Sequence, residues 1–323
     1  MHECMWSDLV EDARRAPSPH NTQAWLVEVE DDRRARVTSR VERLLPVEDP
    51  DYRFLTGAIG IFVEALRIAA AARGHDLRHT FVGPAGPDAL VARLELVDGE
   101  RRADELPLLL RRRTSRLAYD GRPAPTAALD ELARIAAGFG HRFQASSDPA
   151  FVRWVVGLNA ATLFYDLAED ERRAEIRHWT RTSEREARAK ADGFSPRCMG
   201  FPGWLIRAFF DHHGAIRPVE PLLRRLYLRQ VRGTATVGWI AGPWTTPHEW
   251  FDAGRMLLRF WLAATSHGLV LQPFGSVITN PTAHARLDER IERADDPVWL
   301  LLRLGYSAEP PASARLPVGE VLR

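Results

Sequence analysis

Ala16-Pro17-Ser18-Pro19-His20-Asn21-Thr22-Gln23-Ala24-Trp25 is the stretch whose reading decides the fold. An amphipathic segment, Ser7–Arg15, with Leu9, Val10 and Ala13 on its apolar side, runs into Pro17. Proline has no amide proton for a helix interior and pushes the residue before it out of the α region, so the helix must stop here. Pro19 repeats the break. Ser18, His20, Asn21, Thr22 and Gln23 then share one turn, and Trp25–Val29 reads as a strand. Such a turn either bonds its own backbone through Ser and Asn or offers its side chains to a flat polar ligand. The residues alone leave both open.

The chain around this turn has 323 residues, 45% of them hydrophobic, enough for one large core or two domains. Lys+Arg 44 against Asp+Glu 43 gives a net charge of +1. That balance argues against a general nucleic-acid binder. Lys190 is the only lysine, so arginine forks serve wherever a phosphate is to be held. Cys4 and Cys198 are the only cysteines and have no metal-ligand spacing, so neither a disulfide framework nor a zinc site is expected. The first residues lack the basic flank and apolar run of a signal peptide. Ile59–Ala72 carries Glu64 and Arg67 and is too short to span a bilayer. The expectation is a cytoplasmic protein with no membrane partner.

Further along, Ala35–Ser39, His79–Val82, Leu90–Val97, His141–Ala145, Thr236–Ala241 and Pro297–Gly305 read as strands, the last apolar enough for a sheet centre. Tyr52–Arg73, Leu129–Ala137 with Thr126 as its cap, Pro247–His267 and Pro281–Arg293 read as helices. Gly57 and Gly60 would let a second helix approach the first of these closely. From Asp148 to Gln230 the chain is helical and charged: Phe151–Ala168, Ile176–Lys190, Trp204–Phe210 and Leu222–Arg229. Gly193, Gly200 and Gly203 are candidate hinges within it. Gly268–Ser276 reads as a sharp turn. Asp211-His212-His213 has no carboxylates at ligand spacing and reads as structural. Arg112-Arg113-Thr114-Ser115-Arg116-Leu117-Ala118-Tyr119 is either a solvated basic face or a phosphate cradle. GxGxxG after a strand, GxxxxGK[ST], HExxH and GxSxG are all absent.

Taken together, three stretches resemble the FMN-dependent nitroreductase superfamily, and within it the Acg-type branch. Residues 16–25 resemble that family's A-P-S-x-x-N-x-Q-P-W turn, with Ala24 in place of the proline. Residues 112–119 resemble its R-R-S-x-R-x-F opening, and Ala314-Arg315-Leu316-Pro317 its C-terminal basic contact, with Ala314 where a second basic residue is common. Gly254-Arg255 through Leu271-Gln272-Pro273 resembles the long helix and flavin-facing turn.

The resemblance implies an α+β fold, a nitroreductase-like α/β/α sandwich with a mainly antiparallel sheet. In the ordinary family one subunit carries both the basic opening and, later, the turn. Here the turn comes first and the opening follows at 112, each half lacking what the other has. The implied organisation is an internal pseudo-dimer, monomeric or weakly dimeric. Residues 1–110 form a truncated half and 111–323 the second, with a helical cap at about 148–230. The implied cofactor is FMN, reduced by NADH or NADPH, with Arg112, Arg113, Thr114, Arg116 and Arg315 at its phosphate and ribityl chain. Ser18, Asn21 and Gln23 would reach the ring's polar edge or the ribityl hydroxyls from the other half, and Gln272, Pro273, Phe274 and Gly275 would face the ring. The flavin carries the chemistry, so no catalytic side chain is expected. Two functions follow: an oxidoreductase passing hydride to a small organic acceptor, or a capped flavin store. Arg177, His178 and Arg181 in the cap would suit an anionic substrate.

Overall fold

The computed structural model describes residues 2–211, 220–291 and 296–323. Helix α1 (His2–Ala13) leads through the proline-broken turn into the hairpin β1 (Trp25–Val29) and β2 (Arg34–Ser39). The long helix α2 (Arg53–Ala71) follows, then β3 (His75–Phe81) and β4 (Leu90–Asp98). A short α3 (Leu106–Arg111) ends this part, and α4 (Thr126–Ala137) and β5 (Arg142–Ser146) open the next. Six helices are then inserted among the described residues: α5 (Pro149–Ala168), α6 (Asp170–His178), α7 (Glu184–Lys190), α8 (Pro196–Met199), α9 (Gly203–Asp211) and α10 (Glu220–Gln230). The chain resumes with β6 (Thr236–Ala241), α11 (Pro247–Ser266), β7 (Val270–Pro273), α12 (Gly275–Thr279), α13 (Pro281–Arg290), β8 (Val298–Gly305) and α14 (Val318–Val321).

Both sheets are four-stranded and wholly antiparallel, in the spatial orders β1-β2-β4-β3 and β5-β6-β8-β7. In each, a helix (α1 or α4) precedes the first strand and a long helix (α2 or α11) joins the second to the third. The same strand-strand-helix-strand-strand unit is thus built twice. Where the first unit needs only the turn at 30–33 between its opening strands, the second carries the inserted helices.

The two sheets face different surroundings, and their sequences say so. In β4 buried and exposed residues largely alternate, the pattern of a sheet with one wet face. Every residue of β8 is buried, and so is every residue of β6. One side of that sheet joins the large core through Ile240, Leu302 and Leu304. Its other side, Val237, Trp239 and Leu301, packs against Val155 of α5, Val277 of α12 and Leu287 of α13 in a second cluster.

The units meet through α2 and α11, which cross so closely that glycine is required at the contact. A Cβ on Gly254 would lie 1.8 Å from the Gly57 carbonyl oxygen, and one on Gly60 would lie 2.0 Å from that of Phe251. Glu64 of α2, almost fully buried, is enclosed there by Arg67, Arg255 and Arg259. Helix α2 is long and apolar enough to cross a membrane by length and composition, but it is packed inside the fold. The tail returns from the second unit to the first: Arg323 N–H donates to Val27 O and Val29 N–H to Arg323 O, both at 2.8 Å, extending the edge at β1.

Three expectations need correction. The helix predicted over Ile176–Lys190 is two, because residues 179–181 pair with Phe194 as a short parallel bridge and Ser183 caps a new helix by accepting the Glu186 amide. Ser-x-x-Glu is a helix-start signal that marks this break in the sequence. The turn predicted at Gly268–Ser276 contains β7, which pairs with β8 and starts α12 at Gly275. Thr126 is the first helical residue of α4 rather than its cap, a place held by Pro125. His212 and His213 lie outside the described residues, as does the end of the helix predicted to reach Arg293.

Candidate functional site

A cavity of about 490 Å³ lies at the seam of the two units, roofed by the inserted helices. Its walls come from the 17–20 turn, from α2 and α11 at their crossing, from Thr114 and Arg116, and from Gln272, Pro273, Phe274 and Gly275. Of the residues singled out in the sequence, Ser18, Thr114, Arg116 and those four therefore line one space. Asn21, Gln23, Arg112, Arg113 and Arg315 stand behind its wall.

The turn is held in an unusual backbone conformation. His20, Asn21 and Gln23 all have positive φ, at 49°, 57° and 53°. Side chains seldom adopt this region, and it persists only where surrounding bonds impose it. Those bonds are present: the Ser18 hydroxyl accepts the Gln23 amide at 3.0 Å. Asn21 Nδ2 donates to Gly193 O and Ala314 O at 3.2 and 3.1 Å, and Gln23 Nε2 donates to Ala191 O at 3.0 Å. Gln23 Oε1 accepts the Leu316 amide at 2.9 Å. The turn thus ties together the first unit, the cap and the tail. Trp25, which follows, stacks on Phe62 of α2 at 4.6 Å between ring centres.

Four arginines, Arg116 in the wall and Arg112, Arg113 and Arg315 behind it, lie here with little opposing charge. Arg112 is buried with its guanidinium 4.5 Å from the ring centre of Trp261, a wall residue. Its Nη2 donates to Arg15 O, while Nε and Nη1 have no hydrogen-bond partner. Burial, then Arg315 and Arg113, push its pKa far below the usual range. Arg315 Nη1 donates to Asn21 Oδ1 at 2.8 Å and Nη2 to the carbonyls of Arg15 and Ala16, but Nε is unpaired. Burial and Arg15 press its pKa down to about 10. Arg116 lies 4.8 Å from the Phe194 ring centre, and burial lowers its pKa too. Arg113 donates to the carbonyls of Leu110 and Arg112. Cations packed this way, with buried donors left over, favour an anion beside them.

Also lining the cavity are His20 and Glu48, 2.6 Å apart, with the His20 ring 4.9 Å from that of Phe194. Burial pushes the Glu48 carboxyl up, but His20 outweighs it and holds the pKa below its ordinary value. Beside them Asp49 accepts the amides of Phe54 and Leu55 at the start of α2, and burial raises its pKa to about 6 despite those donors. The sequence reading missed both acids, since nothing in Leu-Pro-Val-Glu-Asp-Pro spells a motif.

The roof is fastened by a buried ion network. Arg43 Nη1 donates to Thr22 O and to Asp192 Oδ2 at 3.1 Å, while Arg181 Nε donates to Asp192 Oδ1 at 2.9 Å. Glu175 of α6 accepts the amides of Val47 and Glu48. Arg177 donates to Thr180 O. Of the cap cations expected to greet an anionic substrate, Arg181 is instead paired with Asp192 inside the cap, while Arg177 gives one nitrogen to Thr180 O. Gly193 and Gly203, read as hinges, are tight contacts, since a Cβ on each would lie 2.5 Å from Trp179 O and 2.0 Å from Thr182 O. The Phe274 amide donates to Leu301 O, so it is not available to a ligand.

No family model and no curated protein matches the chain. Among solved structures it is similar to the FMN-dependent nitroreductase NfnB from Mycobacterium smegmatis in complex with NADPH. That match has 15% identity and a TM-score of 0.42, over 68% of this chain and 98% of the other. It is similar also to a nitroreductase with bound FMN from Bacteroides fragilis (16%, TM-score 0.37, 64% and 90%). A nitroreductase-like family protein from Bacillus cereus gives 15%, TM-score 0.37, 67% and 92%.

Proposed function

We propose that the seam cavity holds one FMN and that the protein is an FMN-dependent oxidoreductase, taking hydride from NADH or NADPH and passing it to a small organic acceptor. The observation that carries this is the group of buried guanidiniums unpaired with any carboxylate, Arg116 in the cavity wall and Arg112 and Arg315 behind it. Arg112 keeps two unpartnered nitrogens and Arg315 one. A phosphate monoester would satisfy these donors, and each charge-assisted bond of this type is worth about 1.5–3 kcal/mol. The cavity falls within the range of ordinary ligand pockets, roughly 300–1,000 Å³.

In this reading Arg112, Arg116 and Arg315 hold the phosphate and Thr114 the ribityl chain, with Arg113 at the outer edge. Ser18 faces the ring from the first unit and Gln272–Gly275 from the second. Asn21 and Gln23 act through the turn and tail, holding Arg315 and Leu316 in place. The flavin supplies reversible hydride acceptance, while the protein orients it and keeps water away. The doubled unit, with the turn in one copy and the basic opening in the other, supports an internal pseudo-dimer divided near residue 110, and with it the Acg-type branch.

The test is the absorbance spectrum and flavin content of the purified protein, then anaerobic titration with NADH and NADPH. A yellow protein with FMN near one per chain that bleaches with either reductant is the expected result. Two flavins per chain would sink the pseudo-dimer, and a colourless chain that cannot be reconstituted would sink the cofactor. Bound FMN that no nucleotide reduces would leave a flavin store.

A further inference from the structure

The two walls of the cavity differ in chemistry. Against the seam lie Arg116, Thr114, Ser18 and the acids of the 48–49 loop. The roof offers Phe164 from α5, Leu205 and Phe209 from α9, and Leu223 and Leu226 from α10. The polar side chains that the roof contributes are already paired within it. Asn159 Nδ2 donates to the Tyr227 hydroxyl at 2.6 Å, Thr180 Oγ1 donates to Ile176 O at 2.7 Å, and Gln230 Nε2 donates to Met199 O. The nearby cations Arg181 and Arg177 are not among the lining residues: Arg181 is bound to Asp192, and Arg177 lies beside the Phe210 ring with Nη1 on Thr180 O. A charged or strongly polar ligand placed there would lose its hydration for few partners and no opposite charge in return, which is costly.

We infer that the molecule lying against this roof, the acceptor if the flavin reading holds, is uncharged and carries a bulky apolar part, an alkyl chain or fused rings. The inference rests on that reading only for the word acceptor; the apolar ligand itself follows from the roof. Its apolar part would lie among Phe164, Phe209 and Leu226, leaving its polar end toward the seam.

The experiment titrates the protein as purified with the uncharged fluorophore N-phenyl-1-naphthylamine. Displacement is then followed with a decyl-substituted benzoquinone, with menadione and with 4-nitrobenzoate. Stoichiometric binding, displaced by the decyl quinone at least about tenfold more readily than by menadione, is expected, since each buried methylene adds to affinity. The anionic 4-nitrobenzoate should not compete. Leu226→Arg should weaken the fluorophore about tenfold or more. Leu226→Ala, which only trims the wall, should do so by several-fold with melting temperature and flavin content retained. Displacement by 4-nitrobenzoate as readily as by the decyl quinone would overturn the inference, as would tight binding unchanged in both variants. Flavin content is measured on the same samples, so loss of the cofactor reading and loss of the apolar ligand are seen separately.

Discussion

Arg116 and Arg315 look equivalent in the sequence, yet their surroundings give them different tasks. Arg315 donates to Asn21, Arg15 and Ala16, so Arg315→Ala frees buried acceptors as well as removing a charge. It should lower the stability of flavin-free protein by about 1–3 kcal/mol and weaken FMN as well. Arg116 makes no side-chain hydrogen bond among the described residues and touches Phe194. Arg116→Ala should therefore weaken FMN about tenfold or more while moving the melting temperature of flavin-free protein little. Thermal melts and FMN titrations of both variants check this, and equal losses of flavin-free stability would contradict it. Asp49 gives a pH signature. Its buried carboxyl holds a proton up to about pH 6, whereas the unfolded chain loses it near pH 4. The folded state thus binds more protons between those values, and stability falls as pH rises across that window, by about 2–3 kcal/mol at most. Melting curves from pH 4 to 8 should lose this slope in Asp49→Asn.

At the scale of elements, the crossing of α2 and α11 does most to place the site, because Gly57, Ala58, Gly254 and Leu257 are wall residues at the contact. Helices that touch backbone to backbone leave no room for a methyl group. Gly254→Ala must push the two helices apart or distort one of them, costing about 1–3 kcal/mol or more. Gly275→Ala, at a wall position where a Cβ meets nothing within 4 Å, is the control and should be nearly neutral. Denaturant melts of the two variants separate them. Around Glu64 the same crossing carries a buried charge matched by three arginines from both helices, which fixes their register as well as their separation.

Over the whole molecule, the large core runs through both units, from Trp6 and Trp25 to Phe260 and Leu304. The tail closes the circuit by pairing with β1. The second unit has a further cluster of its own around Trp239 and Leu301, but the large core is shared by both, so unfolding should be a single transition in which flavin release and loss of both sheets coincide. The roof is the separable part, tied to the first unit by Arg43 to Asp192, by Glu175 to the 47–48 amides, and by Asn21 and Gln23 to Gly193 and Ala191. Asp192→Asn leaves Arg43 and Arg181 without their buried anion. It should make the 179–204 region several-fold more sensitive to limited proteolysis while the two sheets stay protected. Cleavage spread evenly over the chain would mean that the roof and the sheets open together.

Strand and helix positions were legible because each follows from local rules. Pro17 and Pro19 end α1, Trp25–Val29 and Thr236–Ala241 alternate or run apolar as strands must, and Val298–Gly305 is apolar enough to sit in a sheet centre, where β8 is found. The local juxtaposition of Ser18 with Asn21 and Gln23, and of Arg112 with Thr114 and Arg116, is likewise written in the chain. What only the tertiary structure decided is which of these side chains remain free. Gln23 is used up by Leu316 and Ala191, and Arg181 by Asp192, while Arg112 is left with unpartnered nitrogens. These partners lie up to about three hundred residues away, and a hydrogen bond leaves no trace in the spacing of either sequence. The acids at 48 and 49 enter the cavity wall for the same reason, through a loop whose course is set by α6 and α2 and not by its own residues.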